Sequence, residues 1–272
     1  ALICALHRDR MQHLPQDRIE LYHACTQMLV ERRERERSLD FEGQYPELSY
    51  RQKIALLKDC AYWFMRNNWT RVDVSRLDQH ISSKLQNMEN IDHNITGEDI
   101  RRYLVERSGI LREPSKGIID FAHRTFQEFL AAQQILDEDD IDFLLDKALD
   151  NQWNETIVLV TGLASPRVCD QIFGTLISRG NAQGKTEKKH QYYLLAASCL
   201  ETVVSLSPTI RAGIEDSLSR LIPPKDRSEA QKWASAGDIA IPYLVKHTLK
   251  ADKNAVECVR ALTMISTKPA ME

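Results

Sequence analysis

Glycine and proline are scarce, 10 and 9 in 272 residues. Runs of alternating β-branched residues are few. Together these argue against a sheet-built fold and for a mainly α chain. No apolar run approaches the ~20 residues that span a bilayer, so no stretch reads as a membrane segment. No secretory signal peptide opens the chain. An excess of one charge is missing too: 36 Lys and Arg against 39 Asp and Glu leave a net charge of −3. Such a balance gives no global attraction to nucleic acid or anionic membrane. The six cysteines (Cys4, Cys25, Cys60, Cys169, Cys199 and Cys258) never form Cys-x-x-Cys. They read as reduced core residues of a cytoplasmic protein. The eight histidines are dispersed without metal-ligand spacing, so no metal site is expected. Gly-x-Ser-x-Gly and His-Glu-x-x-His are absent. With no paired cysteines either, no independent enzyme is expected in this chain.

What is present is helical periodicity in three blocks. Residues 1–45 read as two helices, the second from about Gln16 to Arg37 with Ile19, Tyr22 and Leu29 on its apolar side. Its arginine-rich end pairs Glu31 with Arg35 and Arg32 with Glu36 at i,i+4 spacing, as a solvated helix end does. The stretch from Phe41 to Pro46 is read as a linker. Residues 46–136 have a winged-helix order. Helices are expected from about Tyr50 to Arg66, from Val74 to Gln86, and from Thr96 to near Arg107, with Thr96 and Asp99 spaced as a capping pair. Two short strands, 109–113 and 117–122, flank the turn residues Pro114-Ser115-Lys116-Gly117 and form a two-stranded wing. Helix-turn-helix relatives often read DNA with the third helix. Here Arg101, Arg102 and Arg107 are balanced by Glu98, Asp99 and Glu106, which speaks against nucleic acid as a partner.

Residues 137–272 read as stacked helices, entered through the acidic stretch Asp137 to Asp142. Ser165-Pro166 and Ser207-Pro208 open amphipathic helices 42 residues apart. Asn254-Ala255-Val256 opens another. Ala230 to Val245 and Val256 to Ile265 resemble HEAT-like repeat helices, whose period is roughly 40–47 residues. Such an array offers an extended surface to a partner. An irregular helical domain is the alternative.

The most informative run is Ile118-Ile119-Asp120-Phe121-Ala122-His123-Arg124-Thr125-Phe126-Gln127-Glu128-Phe129-Leu130-Ala131-Ala132. Its first part is an apolar strand and its second part opens a helix. Thr125 and Glu128 have capping-box spacing, so Thr125 is the expected N-cap. His123 then stands beside a helix N-terminus, where unpaired N–H groups and the dipole favour an anion. A histidine there can donate to a phosphate oxygen. The plainer reading is a satisfied structural histidine. Asp120 is not expected to act with His123, because strand residues three apart face opposite sides. Arg124 is read as pairing with a surface acid, Gln127 as a cap or packing residue, and Phe126, Phe129 and Leu130 as core.

The same run resembles the winged-helix signature of NACHT proteins, signal-transduction ATPases with numerous domains. Leu14-Pro15-Gln16-Asp17-Arg18-Ile19-Glu20-Leu21-Tyr22 and the Arg/Glu run to Arg37 resemble the helical region between the NACHT nucleotide-binding core and its winged helix. The resemblance covers roughly residues 1–136. It implies that His123 contacts the β-phosphate of bound ADP and helps hold a closed, inactive state. The P-loop, the acidic Mg²⁺-binding motif and the sensor arginine that the family needs are missing, so the chain is read as the C-terminal part of a longer protein. ADP or ATP would be bound mainly by an upstream nucleotide-binding domain, the first expected partner. A trigger or effector protein is the second, and further copies on activation the third. An innate-immune or antiphage role follows from the same resemblance. The competing expectation is an interaction scaffold, winged helix plus repeats, without a nucleotide role. One decoy is set aside. Gly180-Asn181-Ala182-Gln183-Gly184-Lys185-Thr186 has three residues between its glycines where a P-loop has four, and no strand leads into it.

Overall fold

The computed structural model describes residues 15, 17–32, 45–92, 94–184, 186–234, 236–248 and 255–265. Two compact units divide between Glu138 and Asp139.

In the first unit, α1 (Arg18–Gln27) starts at Asp17, whose side chain accepts the Glu20 N–H at 2.9 Å. It runs on as a π-helical turn, Met28–Arg32. The ion pairs expected beyond it and most of the linker lie outside the described residues. A full capping box of Ser49 and Gln52 opens α2 (Tyr50–Arg66). Its Leu56, Leu57, Cys60, Ala61 and Phe64 are buried. A short strand, β1 (Arg71–Asp73), leads into α3 (Val74–Leu85). Thr96 and Asp99 box the start of α4 (Gly97–Tyr103), as their spacing predicts. The third helix continues to Ser108, but as a second π turn, Leu104–Ser108. The two π turns pack against each other.

The wing has three strands rather than two. β2 (Leu111–Ser115) and β3 (Ile118–Phe121) form the expected hairpin, and β1 adds antiparallel to the other edge of β3, giving the order β1-β3-β2. The three residues of β1 are too few for a period-2 signal, so only the sheet reveals them. The β2–β3 register slips between Arg112 and Ser115, around Pro114, which has no N–H to donate. β3 feeds α5 (Arg124–Asp137) after two residues, and α5 packs along α2.

Two features tie α3 into this unit. The Asp59 carboxylate on α2 meets His80 Nε2 at 2.7 Å and Lys84 Nζ at 2.9 Å, both on α3. Trp63 stacks on the His80 ring at 4.1 Å, with the planes 8° apart. On the other side α4 comes very close. A Cβ on Gly97 would lie 2.0 Å from the Asp78 carbonyl oxygen and 2.6 Å from Ser82 Oγ, which already accepts the Gly97 N–H.

The second unit is helical throughout its described residues: α6 (Ile141–Asp146), α7 (Asn154–Leu163), α8 (Pro166–Ala182), α9 (Thr186–Cys199), α10 (Pro208–Ser219), α11 (Arg227–Ala234), α12 (Ile241–Thr248) and α13 (Ala255–Ile265). The acidic stretch is shared out: Asp137 ends α5, and Asp140 precedes α6 without a side-chain cap bond. Ser165 and Ser207 are N-caps, each followed by proline in the first turn, where its missing N–H costs nothing. Ala230 to Val245 is split, because α11 ends at Ala234 and a 3₁₀ turn, Gly237–Ala240, precedes α12. Trp153, Ile157, Phe173, Leu176, Tyr193, Trp233 and Leu244 form its buried interior. The P-loop decoy is part of this packing. Gly180 lies within α8, and a Cβ there would sit 2.5 Å from the Tyr193 ring of α9. Tyr193 Oη donates to Asn181 Oδ1 at 2.5 Å.

Gly97→Ala is expected to force α3 and α4 apart and destabilise the first unit by about 1–3 kcal/mol, measured as a lowered thermal midpoint by circular dichroism. Asp59 generates a second expectation. Burial alone would raise its carboxyl, but hydrogen bonds and charge from His80 and Lys84 outweigh this and hold it below the usual carboxylate range. Its stabilising share is therefore present above the unfolded value of about 3.9 and is lost as pH falls through the lower folded value. Asp59→Asn is expected to be less stable than the natural chain near neutral pH, with the gap closing below about pH 4. Urea midpoints across that range decide it; a gap independent of pH would refute the pairing.

Candidate functional site

The site is assembled where β3 becomes α5. Ile119 and Phe121 of β3 are buried, which fixes the strand against the core. Asp120 between them is also buried, at 5% exposure, and is answered from both sides. Arg112 Nε of β2 donates to Asp120 Oδ1 at 2.6 Å, and Arg112 Nη2 to Oδ2 at 3.2 Å. Arg71 Nε of β1 lies 3.7 Å from Oδ2. Both arginines are direct cross-strand partners of Asp120 in the ladder. One carboxylate on the central strand thus pins both edge strands, a cross-strand charge arrangement that favours this register.

Three residues after Asp120 the backbone is still extended at His123, with φ −140° and ψ 133°, and His123 is the N-cap of α5. This corrects the expectation that Thr125 caps the helix. Thr125 sits inside the first turn, and Glu128 pairs with Arg124 instead, Nε to Oε1 at 2.8 Å. Glu128 lies three residues after Thr125 and four after Arg124, so it fits either a capping box or a salt bridge by spacing alone. His123 makes no side-chain cap bond. Its carbonyl accepts the Phe126 N–H at 3.1 Å. The imidazole is exposed and lies 6.1 Å from the Phe126 ring. Among the described residues it makes no hydrogen bond or ion pair. It stands exposed at the N-terminus of α5.

The residues behind it are committed to the fold. Phe126, Phe129 and Leu130 are buried. Gln127, 5% exposed, donates through Nε2 to the Trp69 carbonyl at 3.2 Å. That bond ties the first turn of α5 to the loop after α2. It was invisible in sequence, because 58 residues separate the partners. Asp120 and His123 are not brought together as a dyad: the acid is engaged by its two arginines.

The third helix turns Arg101 and Arg107 inward and leaves Arg102 exposed. Arg101 Nε meets Asp78 of α3 at 2.6 Å, and Arg102 pairs with Asp99 at 3.3 Å. Arg107 is buried, with its guanidinium 4.8 Å from the centre of the Tyr45 ring. Tyr45 Oη in turn donates to Glu106. Among the described residues no group of three or more His, Cys, Asp or Glu side chains could hold a metal ion. No helix there is long and apolar enough to cross a membrane. The five described cysteines are buried. Burial pushes the Cys199 thiol up to about 12, far from a reactive thiolate.

Residues 18–135 match the family model of the winged helix-turn-helix domain C-terminal to NACHT. The match runs from α1 into α5 and takes in the three-stranded wing and His123. The first unit therefore carries a NACHT-associated winged-helix domain, and the family match identifies no catalytic domain in the chain. No curated protein and no solved structure is significantly similar to it.

Asp120→Ala is expected to leave two arginines without their carboxylate and to loosen both edge strands, at a cost of roughly 1–3 kcal/mol. Hydrogen exchange should show the amides of β1 and β2 losing protection together. Loss confined to one strand would mean that Asp120 does not hold the sheet as a unit.

Proposed function

We propose that the chain is the regulatory part of a NACHT ATPase, in which the winged helix reads the nucleotide held by a NACHT domain. The observation that carries this is His123: an exposed imidazole with no hydrogen bond among the described residues, standing as N-cap at the positive end of a fourteen-residue helix. First-turn N–H groups lack intrahelical partners, and the helix dipole favours negative charge there. In this reading His123 donates to the β-phosphate of ADP and stabilises the inactive arrangement. The second unit, with its HEAT-like helices, detects a trigger or a partner protein. Trigger binding shifts the population towards an ATP-bound form that assembles with further copies, which requires contacts that differ between the two states. The cellular setting in this reading is cytoplasmic innate immunity or antiphage defence.

The test uses the chain joined to its NACHT nucleotide-binding domain, natural and His123→Ala, with co-purifying ADP quantified and folding checked by circular dichroism. Loss of one hydrogen bond to a charged group, about 1.5–3 kcal/mol, is expected to weaken ADP retention on the order of ten- to a hundredfold. Unchanged ADP in a folded variant would make His123 structural. The scaffold reading, winged helix and helices binding other proteins without a nucleotide, would then take its place.

A further inference from the structure

The second unit contains a pocket of about 490 Å³, within the 300–1,000 Å³ of ordinary ligand sites. Its walls come from the turn after α6, the start of α7, the middle of α9, and α11. Val158, Leu194 and Leu195 form a buried apolar floor. Around it stand four carboxamides: Asn151, Asn154, Gln191 and Gln231. Asn151 and Gln231 are exposed, Asn154 and Gln191 half-buried.

The composition of this lining selects a ligand class. A phosphate or nucleotide would want unopposed cations. The pocket has a single lysine, Lys232, which is 2.9 Å from Glu187, and it has Glu155 on its own wall. A sugar ring or a nucleobase would want an aromatic face, and among the described residues no aromatic side chain lines the pocket. What remains is a surface that donates and accepts hydrogen bonds at several points over a strip of aliphatic carbon, with one charge of each sign. Each carboxamide offers both donor and acceptor. The peptide group does the same at every residue. We infer that this pocket is a peptide-binding site: it takes a short, extended, uncharged polypeptide segment, with main-chain groups on the carboxamides and one apolar side chain on the Val158–Leu194–Leu195 floor. If the regulatory reading above holds, that segment belongs to the trigger; the site itself does not depend on that reading.

The test selects displayed random heptapeptides on the immobilised full chain and titrates the enriched sequence, as a synthetic capped peptide, by calorimetry. An enriched sequence with one apolar residue and no net charge is expected. Its affinity should fall at least tenfold in Asn154→Ala/Gln191→Ala. It should also fall in Gln231→Trp, which closes the mouth from an exposed position and leaves the core untouched. Thermal midpoints of both variants check folding. No enrichment, unchanged affinity in the folded variants, or displacement of the peptide by ATP or maltotriose at equal concentration would overturn the assignment. No nucleotide-binding domain enters the experiment, so its failure leaves the His123 reading standing, and failure of the ADP test leaves this one standing.

Discussion

The first unit depends on the burial of α5. Nine of its fourteen residues are buried, and α2 supplies the surface that covers them. Small residues make the approach possible: Ala61 on α2 and Ala131 and Ala132 on α5 are fully covered. Burying a large apolar side chain contributes about 1.5–3 kcal/mol, so Phe126, Phe129 and Leu130 together outweigh any local preference at the start of the helix. Once they are inside, the phase of α5 is set. Arg124 and His123 must then face out, and β3 must arrive where it does.

Polar bonds specify what this burial only permits. Asp120 holds both edge strands, Gln127 fastens α5 to the Trp69 carbonyl, and Asp59 couples α2 to α3 through His80 and Lys84. Each is buried or half-buried and partnered, as buried polar groups must be. His123 is exposed and lies outside that rule. It is polar, central to the most specific motif of the chain, and makes no hydrogen bond among the described residues.

The second unit is organised differently. Its helices differ in length, from seventeen residues in α8 to six in α6. Close contact is made by special residues, such as Gly180 under Tyr193, more than by a uniform repeat. The helices also leave a concave, amide-lined space among α7, α9 and α11. Helices that pack through wide apolar faces on some sides and polar ends on others leave such spaces where three of them converge.

The sequence by itself determined the mainly helical class, the start of most helices, the β2–β3 hairpin and the strand-to-helix run around His123. These rest on local rules: periodicity, threonine and serine starts at Thr96 and Ser207, and turn residues at Lys116-Gly117. Only the tertiary structure decided the rest. β1 is three residues long and becomes a strand only because β3 offers it an edge. His123 rather than Thr125 caps α5, because the core sets the helix phase and Arg124 claims Glu128. Gln127 and Asp120 became structural through partners 58 and 8 residues away. The pocket has walls from four segments spread between Ala148 and Ala236. Local rules act over about one helical turn, whereas these features depend on which distant surfaces meet, and that is settled by burial across the whole unit.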